Sequence, residues 1–236
     1  MVFGRGGEEA IALAAAGLEF EVVPGVTAGV AAPAYAGIPV THRGVSTSVT
    51  FITGHEDPAK DKDQTEWSAL ARAGGTLVLY MGVSRLAKIA TALIEGGRTP
   101  DTPAALIEWG TYPRQRTVTA TLATLAEVAA REKIIAPSIA IVGDVVRLRE
   151  EMRWFDRRPL FGRTIVVTRA REQASQLRAM LEIAGARVIE APAIRIESLD
   201  QAPLHAALRN LASYGWLVVT SRNAVDLLWA AVRELG

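Results

Sequence analysis

The first residues of the chain could hold a ligand through their backbone. The segment VFGRGGEEA places Gly4, Gly6 and Gly7 directly before a helical pattern that begins at Glu8. Glycines at such a turn allow backbone N–H groups to approach a bound group closely. The spacing is neither a dinucleotide fingerprint, because Glu9 stands where the third glycine would be, nor a P-loop, because no Gly-Lys-Ser/Thr follows. An ordinary helix lead-in fits the same residues.

Other kinds of chemistry are excluded by composition. The chain has no cysteine, which removes disulfides, thiolate zinc sites and cysteine nucleophiles and is compatible with a reducing cytoplasm. His42, His55 and His205 are scattered without metal-ligand spacing, so no metal site is predicted. A net charge of +1 provides no overall field for nucleic acid or an anionic membrane. The uncharged stretch Val22–Thr41 contains three prolines, which predict a buried turn followed by a helix rather than a membrane span.

Strand-like and helical segments alternate along the chain, which predicts an α/β fold. Ser84 is a plausible N-cap, and residues 114–121 have a hairpin-like pattern. The predicted strands before residue 147 are Phe20–Val23, Ser46–Thr53, Thr76–Tyr80, Ala104–Glu108 and Ser138–Val142. The predicted helices there are Glu8–Ala16, Trp67–Ala73, Ser84–Ile94 and one near Leu122–Arg131.

A charged segment divides the chain. The run RLREEMRWFDRRP is the densest charge cluster and ends in a proline, which favours a linker over residues 148–160, although one solvated helix end would also explain it. The pattern beyond it predicts a parallel, doubly wound sheet. Its strands are Arg163–Thr168, Arg187–Ile189 and Trp216–Thr220, and its helices are Gln173–Ala184, Pro203–Leu211 and Asn223–Leu235.

Five motifs in order resemble the tetrapyrrole methylases, in particular uroporphyrinogen-III C-methyltransferases. They are FGRGGEEA, VVPGVTAGVAAPAYAGIPVTHRG, VTFITGH, LVLYMG and IEWGT, and the resemblance covers residues 1–147. It implies the C-terminal portion of a two-lobed α/β methylase with S-adenosyl-L-methionine in the cleft between the lobes. The positions that match the family's cofactor contacts are Val2, Thr27, Ala28, Met81 and Gly110.

The same resemblance implies an acceptor with eight carboxylates, for which cationic and polar partners are expected. A surface arginine is also commonly just solvated, and His42 and His55 could be structural. The substrate-binding candidates in this part are Arg5, His42 and Arg43, with Arg114 and Arg116 in a similar position.

The second part resembles uroporphyrinogen-III synthase from residue 160 to residue 236. The matching segments are FGRTIVVTRAREQASQLRAMLEIAGARVIEAPAIRI and WLVVTSRNAVDLLW. The implied fold is a partial flavodoxin-like α/β domain, and the implied reaction is cyclisation of hydroxymethylbilane. Arg169, Thr220, Ser221 and Asn223 match positions near that family's substrate cleft. Simple helix capping by Ser221 is compatible with the same residues.

Both resemblances start or stop inside a family pattern. Met1 stands where the methylase family has the phenylalanine of Gly-Gly-Asp-Pro-Phe, and the synthase resemblance ends within its first domain. We therefore expect a fragment with parts 1–147 and 161–236, whose catalytic residues lie upstream of Met1 and downstream of Gly236. A tetrapyrrole substrate, homodimerisation through the methylase part and a cytoplasmic location are also expected. A non-catalytic α/β binding module and another precorrin methyltransferase are the alternatives.

Overall fold

A computed structural model describes residues 2–54, 65–169, 171–194, 197 and 199–235 of the chain. Within them, a five-stranded mixed sheet and a separate two-stranded sheet occur together with helices, which confirms the α/β class. The five-stranded sheet contains β1 (Val49–Thr53), β2 (Thr76–Tyr80), β3 (Pro103–Glu108), β4 (Arg116–Thr121) and β5 (Ser138–Val142). The two-stranded sheet contains β6 (Thr164–Val167) and β7 (Arg187–Glu190).

The helices of the described residues agree closely with the helical patterns of the sequence. Short 3₁₀ turns occupy Val83–Arg85, Asp144–Leu148 and Leu211–Ser213. The α-helices are α1 (Gly6–Ala15), α2 (Ala28–Ala36), α3 (Trp67–Ala73), α4 (Leu86–Glu95), α5 (Leu125–Arg131), α6 (Arg149–Met152), α7 (Arg171–Ile183), α8 (Ala202–Arg209) and α9 (Arg222–Leu235).

The direction of β5 sets the geometry of the large sheet, whose order is β1-β2-β5-β3-β4. Strand β1 is parallel to β2, whereas β5 lies antiparallel to both β2 and β3. Ile139 of β5 therefore pairs with Tyr80 on one side and with Ile107 on the other. As a result β1, β2 and β3 all end on the same side of the sheet, called the carboxyl edge below.

Both faces of the sheet are covered. On one face, α3, α4 and α5 pack against side chains such as Leu79 and Leu106, which are almost completely buried. On the other face, Ala36 of α2 packs with Val78, Ile107 and neighbouring core side chains. Since β2 and β3 are buried on both sides, their sequences are continuous apolar runs rather than alternating patterns.

Two predicted strands and one predicted cap are wrong. Residues 20–23 and 216–220 have no regular secondary structure. A strand requires hydrogen bonds from a partner strand, and the described residues offer none to either segment. The turn before α2, predicted as buried, is exposed, and the side chain of Val23 is 85% accessible. Ser84 does not cap α4, because a 3₁₀ turn precedes that helix and Arg85 occupies its N-cap position.

The chain divides into two compact units. Unit 1 comprises residues 1–167 and 175–189, and unit 2 comprises residues 168–174 and 190–236. In unit 2, α8 and α9 pack together, and Ala231 is completely buried. The boundaries 1–147, 148–160 and 161–236 expected from the sequence stay a prediction.

The charged segment, residues 147–159, contains a buried anchor. The guanidinium of Arg149 donates to the carbonyl of Ala36 at the end of α2 and to the carboxylate of Asp156. The indole N–H of Trp154 donates to the carbonyl of Ala34 at 3.1 Å. The ring of Tyr35 contacts the Trp154 ring with 5.1 Å between centroids. The segment predicted as a linker thus fixes the carboxyl end of α2.

We predict that Arg149→Ala lowers the free energy of unfolding by roughly 3 kcal/mol, because it leaves a shielded carboxylate and a helix-terminal carbonyl without their donor. Urea denaturation followed by tryptophan fluorescence measures the change. Arg147→Ala is the matched control, since Arg147 is exposed and meets Asp144 only at 3.5 Å. Its expected effect is about 0.5 kcal/mol or less. Equal losses in the two variants would contradict the anchor.

Candidate functional site

The hydroxyl of Tyr80 fixes the start of α2 at the carboxyl edge. It accepts a hydrogen bond from the Gly29 N–H at 2.7 Å and shares another with Thr27 Oγ1 at 2.7 Å. A side chain at position 29 would collide with this hydroxyl, because a Cβ there would lie 2.3 Å from it. Thr27 and Ala28 are therefore held beside the end of β2.

Backbone strain is concentrated at the same edge. Met81 follows β2 with φ +52°, and Trp109 follows β3 with φ +49°. Thr111 has φ +74°, and Phe3 has φ +49° with its ring 5.0 Å from the ring of Tyr80. Each such non-glycine residue costs on the order of 1–3 kcal/mol, and such residues cluster at active sites and ligand clamps. Four of the five described non-glycine residues with positive φ thus belong to this region.

Glycines keep the space at the carboxyl edge narrow. A Cβ on Gly54 would lie 2.6 Å from the Cα of Gly82, so the segments after β1 and β2 approach each other with bare backbone. A Cβ on Gly110 would lie 2.4 Å from the Cβ of Ala32 in α2. The Gly54 N–H donates to the Tyr80 carbonyl at 2.7 Å, so backbone alone closes the edge between the ends of β1 and β2.

The structure brings together the residues predicted to contact a cofactor. Thr27 and Ala28 begin α2, while Met81 and Gly110 follow the ends of β2 and β3. Val2 precedes Phe3, whose ring contacts Tyr80. The side chains of Val2 and Met81 are about half exposed, so they can be reached by a ligand. These residues are far apart in the sequence and meet because β2 and β3 end at the same edge.

Three of the predicted substrate contacts lie outside that cluster of backbone groups. Arg5 is exposed and pairs with Glu8 in the first turn of α1 at 2.8 Å. The backbone N–H of His42 donates to the carbonyl of Ser46 at 2.9 Å, which closes a tight turn. Arg43 is exposed within that turn. The described contacts do not place these three side chains beside the strand ends.

Arg114 and Arg116 have different surroundings. The guanidinium of Arg114 lies 3.4 Å from the centre of the Trp109 ring, on the loop after β3. Arg116 instead donates to the buried carboxylate of Glu108 at 3.3 Å and to the carbonyl of Glu132 at 2.5 Å. Arg116 therefore has a structural role, while Arg114 keeps its charge close to the carboxyl edge.

In unit 2, the oxygen of Ser221 accepts a hydrogen bond from the backbone N–H of Ala224 at 3.2 Å. The capping interpretation of Ser221 is thereby confirmed. Thr220 is exposed immediately before the cap, and Asn223 lies in the first turn of α9. Arg169 is exposed two residues after the end of β6.

Two of the three histidines can be placed. His205 meets Glu234 at 3.5 Å on the paired helices of unit 2. His42 lies in the turn that its N–H closes with the Ser46 carbonyl. His55 lies outside the described residues. Over the part of the chain that is described, no three His, Asp or Glu side chains converge as metal ligands.

Sequence reasoning missed the residues that assemble the edge. Tyr80 could have been found, because a tyrosine at the end of an otherwise apolar buried strand requires a hydrogen-bond partner for its hydroxyl. Trp109, Thr111 and Phe3 gave no comparable signal, since a positive φ at a non-glycine residue follows from tertiary packing rather than from residue type.

Comparison with protein families identifies two segments. Residues 1–126 match the model of the Tetrapyrrole (Corrin/Porphyrin) Methylases. Residues 175–236 match that of Uroporphyrinogen-III synthase HemD. The described helices are all too short or too polar to cross a membrane.

Individual relatives agree with both matches. An S-adenosyl-L-methionine-dependent uroporphyrinogen III methyltransferase of Methanosarcina barkeri is 55% identical over 63% of this chain and 58% of its own length. A porphyrin biosynthesis protein HemD of Ruminiclostridium josui is 41% identical over 100% of this chain and 47% of its own. The chain thus spans about half the length of these curated relatives.

A solved structure shows the same fold. The uroporphyrin-III C-methyl transferase of Thermus thermophilus, crystallised with S-adenyl homocysteine, superimposes with a TM-score of 0.54. It is 38% identical, and the alignment covers 63% of each chain.

We predict that Gly110→Ala lowers the free energy of unfolding by about 1–3 kcal/mol, because the added methyl group must displace α2 at Ala32. Thermal or urea unfolding measures it. Gly25→Ala is the control, since a Cβ at Gly25 meets nothing within 4 Å. If Gly110→Ala is as stable as Gly25→Ala, the close packing of α2 on the loop after β3 is wrong.

Proposed function

The chain belongs to the tetrapyrrole (corrin/porphyrin) methylases, and from this membership we propose that it takes part in S-adenosyl-L-methionine-dependent C-methylation of uroporphyrinogen III to precorrin-2. The name of the relative from Methanosarcina barkeri supports this activity. The structural neighbour from Thermus thermophilus, crystallised with S-adenyl homocysteine, supports the cofactor. Sirohaem and cobalamin are the pathways to which this reaction would contribute.

The carboxyl edge is the observation on which the proposal rests. Methyl transfer needs neither a metal nor a protein nucleophile, but it needs the donor held in line with the acceptor carbon. Backbone groups at Thr27, Ala28 and Gly110 lie beside the strand ends, and such groups suit the polar ends of the cofactor. Met81 offers a polarisable apolar surface, and Val2 offers a second one. S-adenosyl-L-methionine would supply the methyl group as a sulfonium.

The acceptor carries carboxylates, which require cationic partners. Arg114 suits this role because stacking on Trp109 holds the planar guanidinium in place while its N–H edges remain available for bidentate hydrogen bonds. Arg5, His42 and Arg43 remain further candidates for the outer carboxylates. Arg116 does not suit this role, since its charge already compensates Glu108.

For the second part of the chain we propose a contribution to uroporphyrinogen-III synthase, the reaction that produces the acceptor. The family match over residues 175–236 and the relative from Ruminiclostridium josui support it. Arg169, Thr220, Ser221 and Asn223 would bind acetate or propionate groups through their cationic, hydroxyl and amide groups. The N–H groups at the start of α9 would add to that site.

Two expectations about the whole protein remain proposals. Homodimerisation would occur through the methylase part. A cytoplasmic location is compatible with a chain that contains no cysteine.

We predict that Met81→Gly weakens binding of S-adenosylhomocysteine about tenfold, which corresponds to about 1.4 kcal/mol, without loss of stability. The side chain would contact the ligand, whereas its removal relieves a positive φ and leaves unfolding free energy unchanged or raised by up to about 1 kcal/mol. Isothermal titration calorimetry and urea unfolding give the two readouts.

Lys133→Gly is the matched control for this variant. Lys133 also has a positive φ, of +53°, but it is an exposed residue that is not among the predicted cofactor contacts. It should show the same change in stability and unchanged affinity. Absence of S-adenosylhomocysteine binding by the unaltered chain would refute the cofactor proposal. Equal affinity of Met81→Gly and the unaltered chain would refute the role of Met81.

We predict that two substitutions at Ser221 separate capping from binding. Ser221→Ala removes the cap of α9 and should cost about 1 kcal/mol of unfolding free energy. Ser221→Asp retains an acceptor for the Ala224 N–H and is favourable at a helix start, so stability should be kept. Its charge would nevertheless repel a carboxylate, so binding of uroporphyrin III, followed by fluorescence, should weaken at least tenfold. Undiminished binding by Ser221→Asp would leave Ser221 as a cap alone.

A further inference from the structure

Unit 1 contains a cavity of about 380 Å³ on the side of α2 where the charged segment is anchored. It is called the arginine cavity below. Its walls include Tyr35 of α2, Thr111 after β3, Phe155 and Arg158 of the charged segment, and Arg187 at the start of β7. None of the predicted cofactor contacts and none of the predicted substrate contacts is among its lining residues. Its volume is in the range of small-molecule sites, which is about 300–1,000 Å³.

One wall of the cavity is aromatic and rigid. The rings of Tyr35 and Phe155 meet edge to face, with 4.8 Å between centroids. Phe161 supports Phe155 from behind at 5.3 Å, and Phe155 is only 4% exposed. A flat unsaturated ring packs well against such a wall, because aromatic contacts favour offset or edge-to-face geometry.

The cavity also carries uncompensated positive charge. Arg158 stacks near the rings of Trp154 at 4.7 Å and Phe155 at 5.0 Å. Glu182, which lines the cavity too, is already paired with Arg178 at 2.9 Å. No carboxylate among the described residues pairs with Arg158 or Arg187. Two arginines on the rim of one cavity therefore favour an anionic ligand.

The side chain of Arg158 packs against the backbone turn at Gly185. Gly185 lies two residues after α7 with φ +99°, and a Cβ there would lie 2.8 Å from the Cβ of Arg158. The Leu160 N–H donates to the Ala184 carbonyl at 2.9 Å, which holds the charged segment against this turn. The bare turn lets the stem of Arg158 lie across it. The guanidinium is thus directed by packing on both sides, which lowers the entropic cost of binding an anion.

We propose that the arginine cavity binds a carboxylate-bearing pyrrole ring. The aromatic wall would take the ring, and Arg158 and Arg187 would take its carboxylates. The cavity would hold one ring of such a molecule. Its walls come from both family-matched segments, which suits a molecule that one part makes and the other consumes. The choice of a pyrrole rests on the proposed function.

Isothermal titration calorimetry of the full chain with porphobilinogen tests the proposal. This probe is a single pyrrole ring that carries an acetate and a propionate. Arg158→Gln and Arg187→Gln should each weaken its binding about tenfold. Arg163→Gln is the matched control, because it removes the same charge from an exposed arginine that does not line the cavity. Unsubstituted pyrrole is the matched ligand control and should not bind measurably.

The outcomes separate this proposal from the proposed function. Loss of affinity in both cavity variants, with unchanged binding in Arg163→Gln, would support the cavity. Equal weakening in all three variants would show general charge attraction and overturn it. Binding that survives both cavity substitutions, or no binding by the unaltered chain, would also overturn it. Titration of each protein with S-adenosylhomocysteine reports the methylase site independently, so a failure there concerns the proposed function and not the cavity.

Discussion

The common direction of three strands, β1, β2 and β3, determines where this molecule can carry out chemistry. Strand β5 lies between β2 and β3 and opposes both, so the two neighbours run the same way. Each pair is joined by a full ladder of backbone hydrogen bonds, and both faces of the strands are covered by helices. Without a strand between them, β2 and β3 would leave buried N–H and C=O groups without partners, which costs roughly 1–3 kcal/mol for each group. Strand β5 thus holds β2 and β3 in one sheet, and their ends form the shared edge.

That edge can tolerate strain because the sheet behind it is rigid. Positive φ values at Met81, Trp109 and Thr111 together cost several kcal/mol by the usual ~1–3 kcal/mol for each residue. Burial of each large apolar side chain in β2 and β3 contributes roughly 1.5–3 kcal/mol. The contacts of Tyr80 and Gly110 with α2 hold the loops at the strand ends against this stable core. Strained backbone at the strand ends is thus compatible with a well-packed fold.

Much of this fold could be predicted from the sequence, and the two predicted strands that do not form share one physical cause. The helix Trp67–Ala73 and the strand Thr76–Tyr80 are found with the predicted bounds, since the pattern of apolar residues in each segment matches its burial. The segments at residues 20–23 and 216–220 are equally rich in apolar residues but form no strand. Trp216 is 90% exposed. Strand formation depends on a partner from elsewhere in the chain, which residue type alone does not report.

Residues of the candidate site could be proposed from the sequence, but the partners of their side chains could not, and arginine shows why. Arg114 and Arg116 are two positions apart and look equivalent in the sequence. Arg116 follows the register of β4 against β3 and so meets the buried carboxylate of Glu108. Arg114 precedes the strand and stacks on Trp109, with no carboxylate partner among the described residues. Since an arginine that already compensates a buried acid has little charge to offer a ligand, the partner of each guanidinium decides its role. That partner is set by strand register, which becomes known only once the sheet is assembled.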